Sequence, residues 1–364
     1  MLRPFSPIYN PHRNLIDVAK DWCPDGMTTQ DRSLALKKSY SIAAIRAFYN
    51  QPWIFGYDPV AAEETFSEFD LVLISDREYF RLSDVRTWIS TLKLKNWLFV
   101  SSGKHSEEQP QEHECYRPWY ITNFLDYQQT TQWPTPSPNI RPFLFEALLG
   151  ARRPHRDWLQ LALQQSGMID KGIVTYRDCF VGHVIDASTD TVLERFPGKK
   201  LLYPHVSANL DPAWETVETV HNGVSFINPK QIYDRTWYSL VAETLFTGDT
   251  FFLSEKTVKA MYNRRFFFIF GVRGYMRNLR EHGFRTFHEF IDESWDDDPV
   301  DYRRWERCFT EFWRLATFED PQKIYQAAES VFEHNLEYLN WWCRQHYNRT
   351  EDLMRKLMPP YVYR

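Results

Sequence analysis

Residues 143–167, FLFEALLGARRPHRDWLQLALQQSG, are the stretch on which the fold is decided. Phe143 to Leu148 form an apolar run of strand length. Gly150 to Arg156 are polar and basic. Pro154 to Ser166 then read as a helix, because proline suits a first helical turn and Gly167 stands where a left-handed residue ends one. Residues 173–176 (IVTY) are a second apolar run. Strand, crossover helix and strand predict a parallel β-α-β unit.

The same alternation extends in both directions. Toward the C-terminus, residues 238–242 (YSLVA) predict a strand ending at Glu243, and residues 255–263 a helix with Ser254 as its N-cap. Residues 266–270 (FFFIF) predict a strand ending at Gly271. Toward the N-terminus, residues 69–74 (FDLVLI) and 97–100 (WLFV) predict strands. Between them Asp84 to Lys93 predict a crossover helix with Val85, Trp88, Ile89 and Leu92 on one face. Continuous apolar runs belong to strands covered on both faces, as in parallel sheets.

Residues 132–142 (QWPTPSPNIRP) hold four prolines, which fit neither a helix interior nor a central strand. The predicted architecture is therefore α/β, with two Rossmann-type doubly wound domains facing a cleft. The N-terminal domain covers 1–133, the linker 134–142 and the C-terminal domain 143–300. After Pro299 the pattern is helical, over 301–317 and 321–346, and these helices are expected to pack back across the domains. Trp341 and Trp342 read as packing residues. Asp296, Asp297 and Asp298, just before Pro299, read as a solvated loop.

Composition narrows the function classes. With 43 basic and 48 acidic residues in 364, the net charge is −5, so no global positive field draws the chain to nucleic acid or anionic lipid. Only 13 glycines argue against glycine-rich fingerprints. Aromatics make up 17%, enough for a large core and also for stacking platforms. The five cysteines lie far apart with no C-x-x-C pair, which argues against structural zinc or a disulfide framework and fits a reducing compartment. Met1 to Asn14 lack a signal-peptide apolar core, and the longest apolar run, Phe266 to Val272, is too short to span a bilayer. A soluble, cytoplasmic protein is expected.

Ligands of open parallel sheets bind beyond the carboxyl ends of the strands. Two constellations stand there. The first is Arg152, Arg153, His155 and Arg156, after a strand and at a helix start, where free N–H groups and forked guanidinium donors suit a diphosphate. The same residues would equally make a solvated basic turn. The second is Glu243, Ser254, Glu255, Lys256 and Lys259. A carboxylate at a helix start can accept from a ribose diol while a neighbouring lysine holds a phosphate; helix capping with a surface ion pair is the simpler alternative.

These residues sit in a longer pattern: a strand ending in Glu243, the Ser254-Glu255-Lys256 helix start, the apolar strand ending at Gly271, then Gly283-Phe284-Arg285-Thr286-Phe287 and Asp292-Glu293-Ser294. Together with the R-P-H-R loop, Trp237 to Asp298 resemble the donor-binding region of GT-B-fold glycosyltransferases. The stretch is most similar to a group encoded by bacteriophages, other viruses and bacteria, and more distantly similar to α-1,3-fucosyltransferases. Ala260 and Arg265-Phe266 depart from the family, in which prolines are common.

The resemblance implies a sugar transferase using a UDP- or GDP-sugar as co-substrate, with no permanently bound cofactor and no metal. Glu255 would hold the ribose, Lys256 a phosphate, and Arg152 or Arg156 the diphosphate. The general base would come from the N-terminal half. Asp76 and Glu78, after the strand 69–74, are candidates, as are Glu112 and His113 in the loop EQPQEHECYRPWY. The acceptor would be a hydroxyl: a hydroxymethylated base in phage or viral DNA, with Arg264, Arg265, Arg273 and Arg277 as a backbone track, or else a cell-surface glycan or a protein. A non-catalytic nucleotide-sugar or nucleic-acid binding protein is the rival reading.

Overall fold

A computed structural model describes residues 42–48, 51–54, 71–76, 86–87, 89–90, 97–101, 112–116, 141–150, 152–176, 192–203, 205–207, 230–248 and 250–357. The chain divides into two compact units: Met1–Asp126 with Trp341–Arg364, and Tyr127–Asn340. Residues 132–140 of the proline-rich stretch lie outside the described residues.

The first unit contains β1 (Ile42–Phe48), β2 (Gln51–Ile54), β3 (Leu71–Asp76), β4 (Trp97–Ser101) and β5 (Glu114–Tyr116). They form one sheet in the order β2-β1-β3-β4-β5. Every neighbouring pair is parallel except β1 and β2. Positions 86, 87, 89 and 90 are helical, within the crossover expected between β3 and β4. Arg86 from this stretch grips the buried Glu114 carboxylate with two bonds of 2.8 and 2.7 Å. The short β5 replaces the loop expected around Cys115.

The second unit carries β6 (Phe143–Gly150), α1 (Pro154–Gln165), β7 (Ile173–Tyr176), β8 (His205–Val206), α2 (Lys230–Tyr233), β9 (Thr236–Ala242), α3 (Glu255–Tyr262), β10 (Phe266–Phe270), α4 (Tyr275–Glu281), α5 (Asp301–Phe318) and α6 (Pro321–Ala327). Its sheet runs β10-β9-β6-β7-β8, parallel except for the edge strand β8. All residues of β9 and β10 are buried, as continuous apolar runs require when both faces are covered. From α5, the Phe312 ring meets Phe145 and Phe268 edge-on, with centroids 5.2 and 5.5 Å apart. Phe287 stacks on Phe266 at 3.9 Å.

Three local corrections emerge. The helix expected over 321–346 breaks at Ala328, and α7 (Glu329–Leu357) continues past the expected end. The division into units falls within α7, between Asn340 and Trp341. In the first unit Trp342 and His346 pack on Tyr116, at 6.0 and 5.2 Å, whereas Trp341 is exposed. Asp296 is buried rather than solvated, and its carboxylate caps α4 by accepting from the N–H groups of Met276 (3.0 Å) and Arg277 (2.9 Å).

The G-F-x-T-F and D-E-S segments prove to be two halves of one clasp. Glu293 accepts from Thr286 Oγ1 and from the Phe287 N–H, both at 2.8 Å, and pairs with Arg280. Asn335 on α7 bonds both the N–H and the C=O of Arg285, at 2.8 and 2.9 Å. Gly283 has φ +89°, and a Cβ there would stand 2.4 Å from the Tyr338 hydroxyl, so glycine is required twice over. Among the described residues, no helix is long and apolar enough to cross a membrane.

Candidate functional site

The strand order places a switch point between β6 and β9. From β6 the chain crosses through α1 to β7 on one side; from β9 it crosses through α3 to β10 on the other. Right-handed crossovers running in opposite directions put their helices on opposite faces, opening a crevice beyond the carboxyl ends of β6 and β9. Both sequence constellations lie at that edge.

They meet at one dipeptide, Glu243-Thr244, immediately after β9. His155 Nε2 lies 2.8 Å from the Glu243 carbonyl, and Arg153 Nη1 donates to the Thr244 carbonyl at 3.1 Å. From α3, Lys256 Nζ donates to Thr244 Oγ1 at 3.0 Å and to Glu255 Oε1 at 2.8 Å. Arginine and lysine from opposite faces of the sheet are thus anchored to a single residue.

The Glu243 carboxylate is fully buried and bonded at both oxygens. Oε2 accepts from the Thr244 N–H at 3.0 Å; Oε1 accepts from Thr257 Oγ1 at 2.5 Å and from the Tyr275 hydroxyl at 2.8 Å. Glu243 therefore shapes the site from beneath. His155 acts similarly. A carbonyl partner forces its Nε2 to donate, leaving Nδ1 bare and buried with no partner among the described residues. Burial, reinforced by the Arg156 cation, holds this imidazole well below its ordinary pKa. Its ring stacks on Phe246 at 4.6 Å.

The three arginines of the first constellation differ. Arg152 is paired with the buried Asp157 at 2.9 Å, and Asp157 also accepts from the Tyr176 hydroxyl. Arg156 is buried; loss of hydration and the Arg153 charge bring it down to about 10, while Glu255 and Glu243 oppose the fall. Arg153 is half-buried, forms no ion pair with a described carboxylate, and spends one donor on a carbonyl. It is also the N-cap of α1, which has no side-chain cap. By contrast α3 is capped by Ser254, whose Oγ accepts from the Lys256 N–H at 3.2 Å.

Glu255 and Lys259 are both buried in α3. Burial pushes the Glu255 carboxyl up, but Lys256 and Lys259 outweigh it and hold the group below its ordinary value, so it is an ionised acceptor. Gly150, at φ +64°, adopts a left-handed conformation that favours glycine, and a Cβ there would lie 3.5 Å from Arg156 Nη1.

The base candidates belong to the first unit. Asp76 ends β3, in register with Ala47. Glu78 lies outside the described residues. Glu112 is exposed and His113 half-buried, both in a turn before β5, and the His113 ring tilts against Trp97 at 5.3 Å. Of the arginines expected on a nucleic-acid track, Arg265 has no exposed surface, which corrects its placement there. Arg264 pairs with Glu333 at 3.0 Å, Arg277 with Asp297, and Arg273 donates to the Asp297 carbonyl at 2.9 Å. Among the described residues, no three His, Cys, Asp or Glu side chains group as a metal site would.

Sequence reasoning missed Thr244, Thr257 and Tyr275. Thr244 directly follows a singled-out residue and could have been found from that position. Tyr275 and Thr257 carry no local signal, since their partner is distant in sequence.

The fold class is mixed α/β with parallel-rich sheets, and its second unit has a doubly wound switch point. No protein-family model matches the chain, and no curated protein sequence does. Among solved structures the chain is similar to the crystal structure of an alpha1,3-fucosyltransferase, at 12% identity and a TM-score of 0.34, over 89% of this chain and 95% of that one.

Proposed function

We propose that the chain is a glycosyltransferase that binds a nucleotide-sugar donor at the carboxyl edge of β6 and β9 and transfers the sugar to a hydroxyl. The observation that carries this reading is the meeting of Arg153, Lys256 and Glu255 around Thr244, with Arg153 in no ion pair with a carboxylate among the described residues and no side-chain cap at the start of α1. The motif resemblance around Trp237 to Asp298 supports it.

The chemistry follows from charge. As the bond from the sugar's anomeric carbon to the phosphate oxygen breaks, negative charge grows on the departing nucleoside diphosphate. Arg153, Lys256 and the α1 dipole would stabilise that charge. The Glu255 carboxylate would accept from ribose hydroxyls. The acceptor oxygen bonds to the anomeric carbon and its proton passes to a general base. Asp76 is proposed for that role from its position at the end of β3. Arg152, committed to Asp157, is assigned to shaping the loop, and this reading moves the diphosphate contact to Arg153.

The acceptor is proposed as a carbohydrate or protein hydroxyl ahead of a hydroxymethylated DNA base, because the track arginines are buried or already bonded. The test is direct. UDP- and GDP-sugars are incubated with hydroxymethylcytosine DNA, with simple sugars and with peptide, and products are read by mass. Arg153→Ala and Glu255→Ala should abolish transfer to whichever acceptor reacts. Asp76→Asn should abolish transfer yet leave nucleotide binding intact. Absence of transfer or donor hydrolysis with every combination would defeat the enzyme reading.

A further inference from the structure

Neither end of the Glu243 side chain reaches solvent, so its influence on the site passes through its bonds. Its Oε2 accepts from the next residue's N–H, folding the carboxylate back on the Glu243-Thr244 peptide. That peptide presents three acceptors: the Glu243 carbonyl to His155, the Thr244 carbonyl to Arg153 and Thr244 Oγ1 to Lys256. Whatever fixes the carboxylate therefore fixes the anchor of both cations.

Two hydroxyls do so from the opposite side. Thr257 Oγ1 and the Tyr275 hydroxyl both bond Oε1, at 2.5 and 2.8 Å. Thr257 belongs to α3, which itself carries Lys256. Tyr275 is the first residue of α4, a separate element fixed by its own contacts. The Gly274 N–H donates to the Asp296 carbonyl at 2.8 Å, and the Asp296 carboxylate caps the helix. The Tyr275 ring packs against Phe251 at 5.1 Å, so it stays in place without its hydroxyl.

We propose that Tyr275 is a positioning residue of the site, its hydroxyl holding Glu243 and thereby the Thr244 anchor of Arg153 and Lys256. This rests on the reading of that site as a pocket for a nucleoside diphosphate. Tyr275 touches no ligand; it lowers the freedom of the groups that do.

The experiment measures affinity for pyrophosphate, UDP and GDP by calorimetry, alongside melting temperature, for the full chain. Tyr275→Phe keeps the ring and should weaken binding about three- to tenfold, the scale of one net hydrogen bond. Thr257→Val should act in the same direction, and the double variant should lose less than the product of the two, because both act through one carboxylate. Tyr238→Phe removes a buried hydroxyl that has no hydrogen-bond partner among the described residues, and should bind as wild type does. Arg153→Ala separates the two readings. If it weakens binding while Tyr275→Phe and Thr257→Val do not, the positioning role is overturned and the site stands. If the wild type binds none of the three ligands, or Arg153→Ala binds as tightly as wild type, the site reading fails and takes this inference with it. A Tyr275→Phe protein that melts early but binds with full affinity below its transition also overturns the proposal; should it fail to fold, Thr257→Val and the cycle between Thr257 and Arg153 decide.

Discussion

Thr244 receives an arginine and a lysine from the two faces of the sheet, and this single residue converts two basic segments into one site. Truncating Arg153 to alanine is expected to weaken nucleoside diphosphate binding about 10- to 100-fold, since a charge-assisted hydrogen bond contributes about 1.5–3 kcal/mol. Titration calorimetry checks this. A second residue, Glu146 in β6, governs stability rather than binding. It is fully buried, and burial raises it to about 8 despite bonds from Ser239 and Thr236. The folded protein thus keeps a proton there that the unfolded chain releases near 4.5. Its contribution is complete below about 4.5 and is lost as the pH rises through about 8. Denaturant unfolding should show that loss in the wild type, and Glu146→Gln should flatten it. An equal slope in both proteins would refute the assignment.

At the scale of elements, close approaches explain where glycine and buried polar groups stand. Gly172, before β7, lies under the Phe145 ring, and a Cβ there would come within 2.5 Å of it. Because Phe145 is fully buried, Gly172→Ala should cost about 1–3 kcal/mol through overpacking, read as a lowered melting temperature. The start of α4 depends on Asp296. Asp296→Ala removes both N–H contacts and should cost about 1–2 kcal/mol. Hydrogen exchange should show the loss first at Met276 and Arg277, the two amides it caps. If those amides stay protected, the cap is not what holds the helix. The elements read correctly from sequence were those with strong local causes. Residues 266–270 are five apolar residues in a row, and Ser254 is a preferred N-cap whose side chain does accept the capping bond. The break at Ala328 has no proline or glycine to announce it. The edge strand β8 spans two residues and owes its conformation to pairing with Thr175 and Tyr176.

For the whole molecule, the proposed site predicts linkage between ligand and fold. UDP or GDP at about 100 times its dissociation constant should stabilise the protein by about 2.7 kcal/mol, seen as an upward shift of the thermal transition. Arg153→Ala, with its affinity lowered about 10- to 100-fold, should reduce that stabilisation to about 0.4–1.4 kcal/mol at the same ligand concentration. Adding EDTA should leave both the shift and any sugar transfer unchanged, as a donor site built from cationic side chains requires; a loss on chelation would assign a metal to the reaction.

The sequence by itself determined the alternation of strands and helices, the presence of basic and acidic side chains just past strand ends, and the composition that makes a large aromatic core. These follow from local spacing and residue chemistry, which need no partner to act. It could not distinguish Arg153 from Arg152 or reveal Tyr275. Those distinctions depend on which donor finds which acceptor: Thr244 and Glu243 reach their partners only once β6, β9 and β10 lie side by side, and Asp157 meets Tyr176 only once β7 lies beside β6. The same packing decided that Asp296 is a buried cap and Arg265 a core residue, because burial belongs to the assembled layers and not to any stretch of chain.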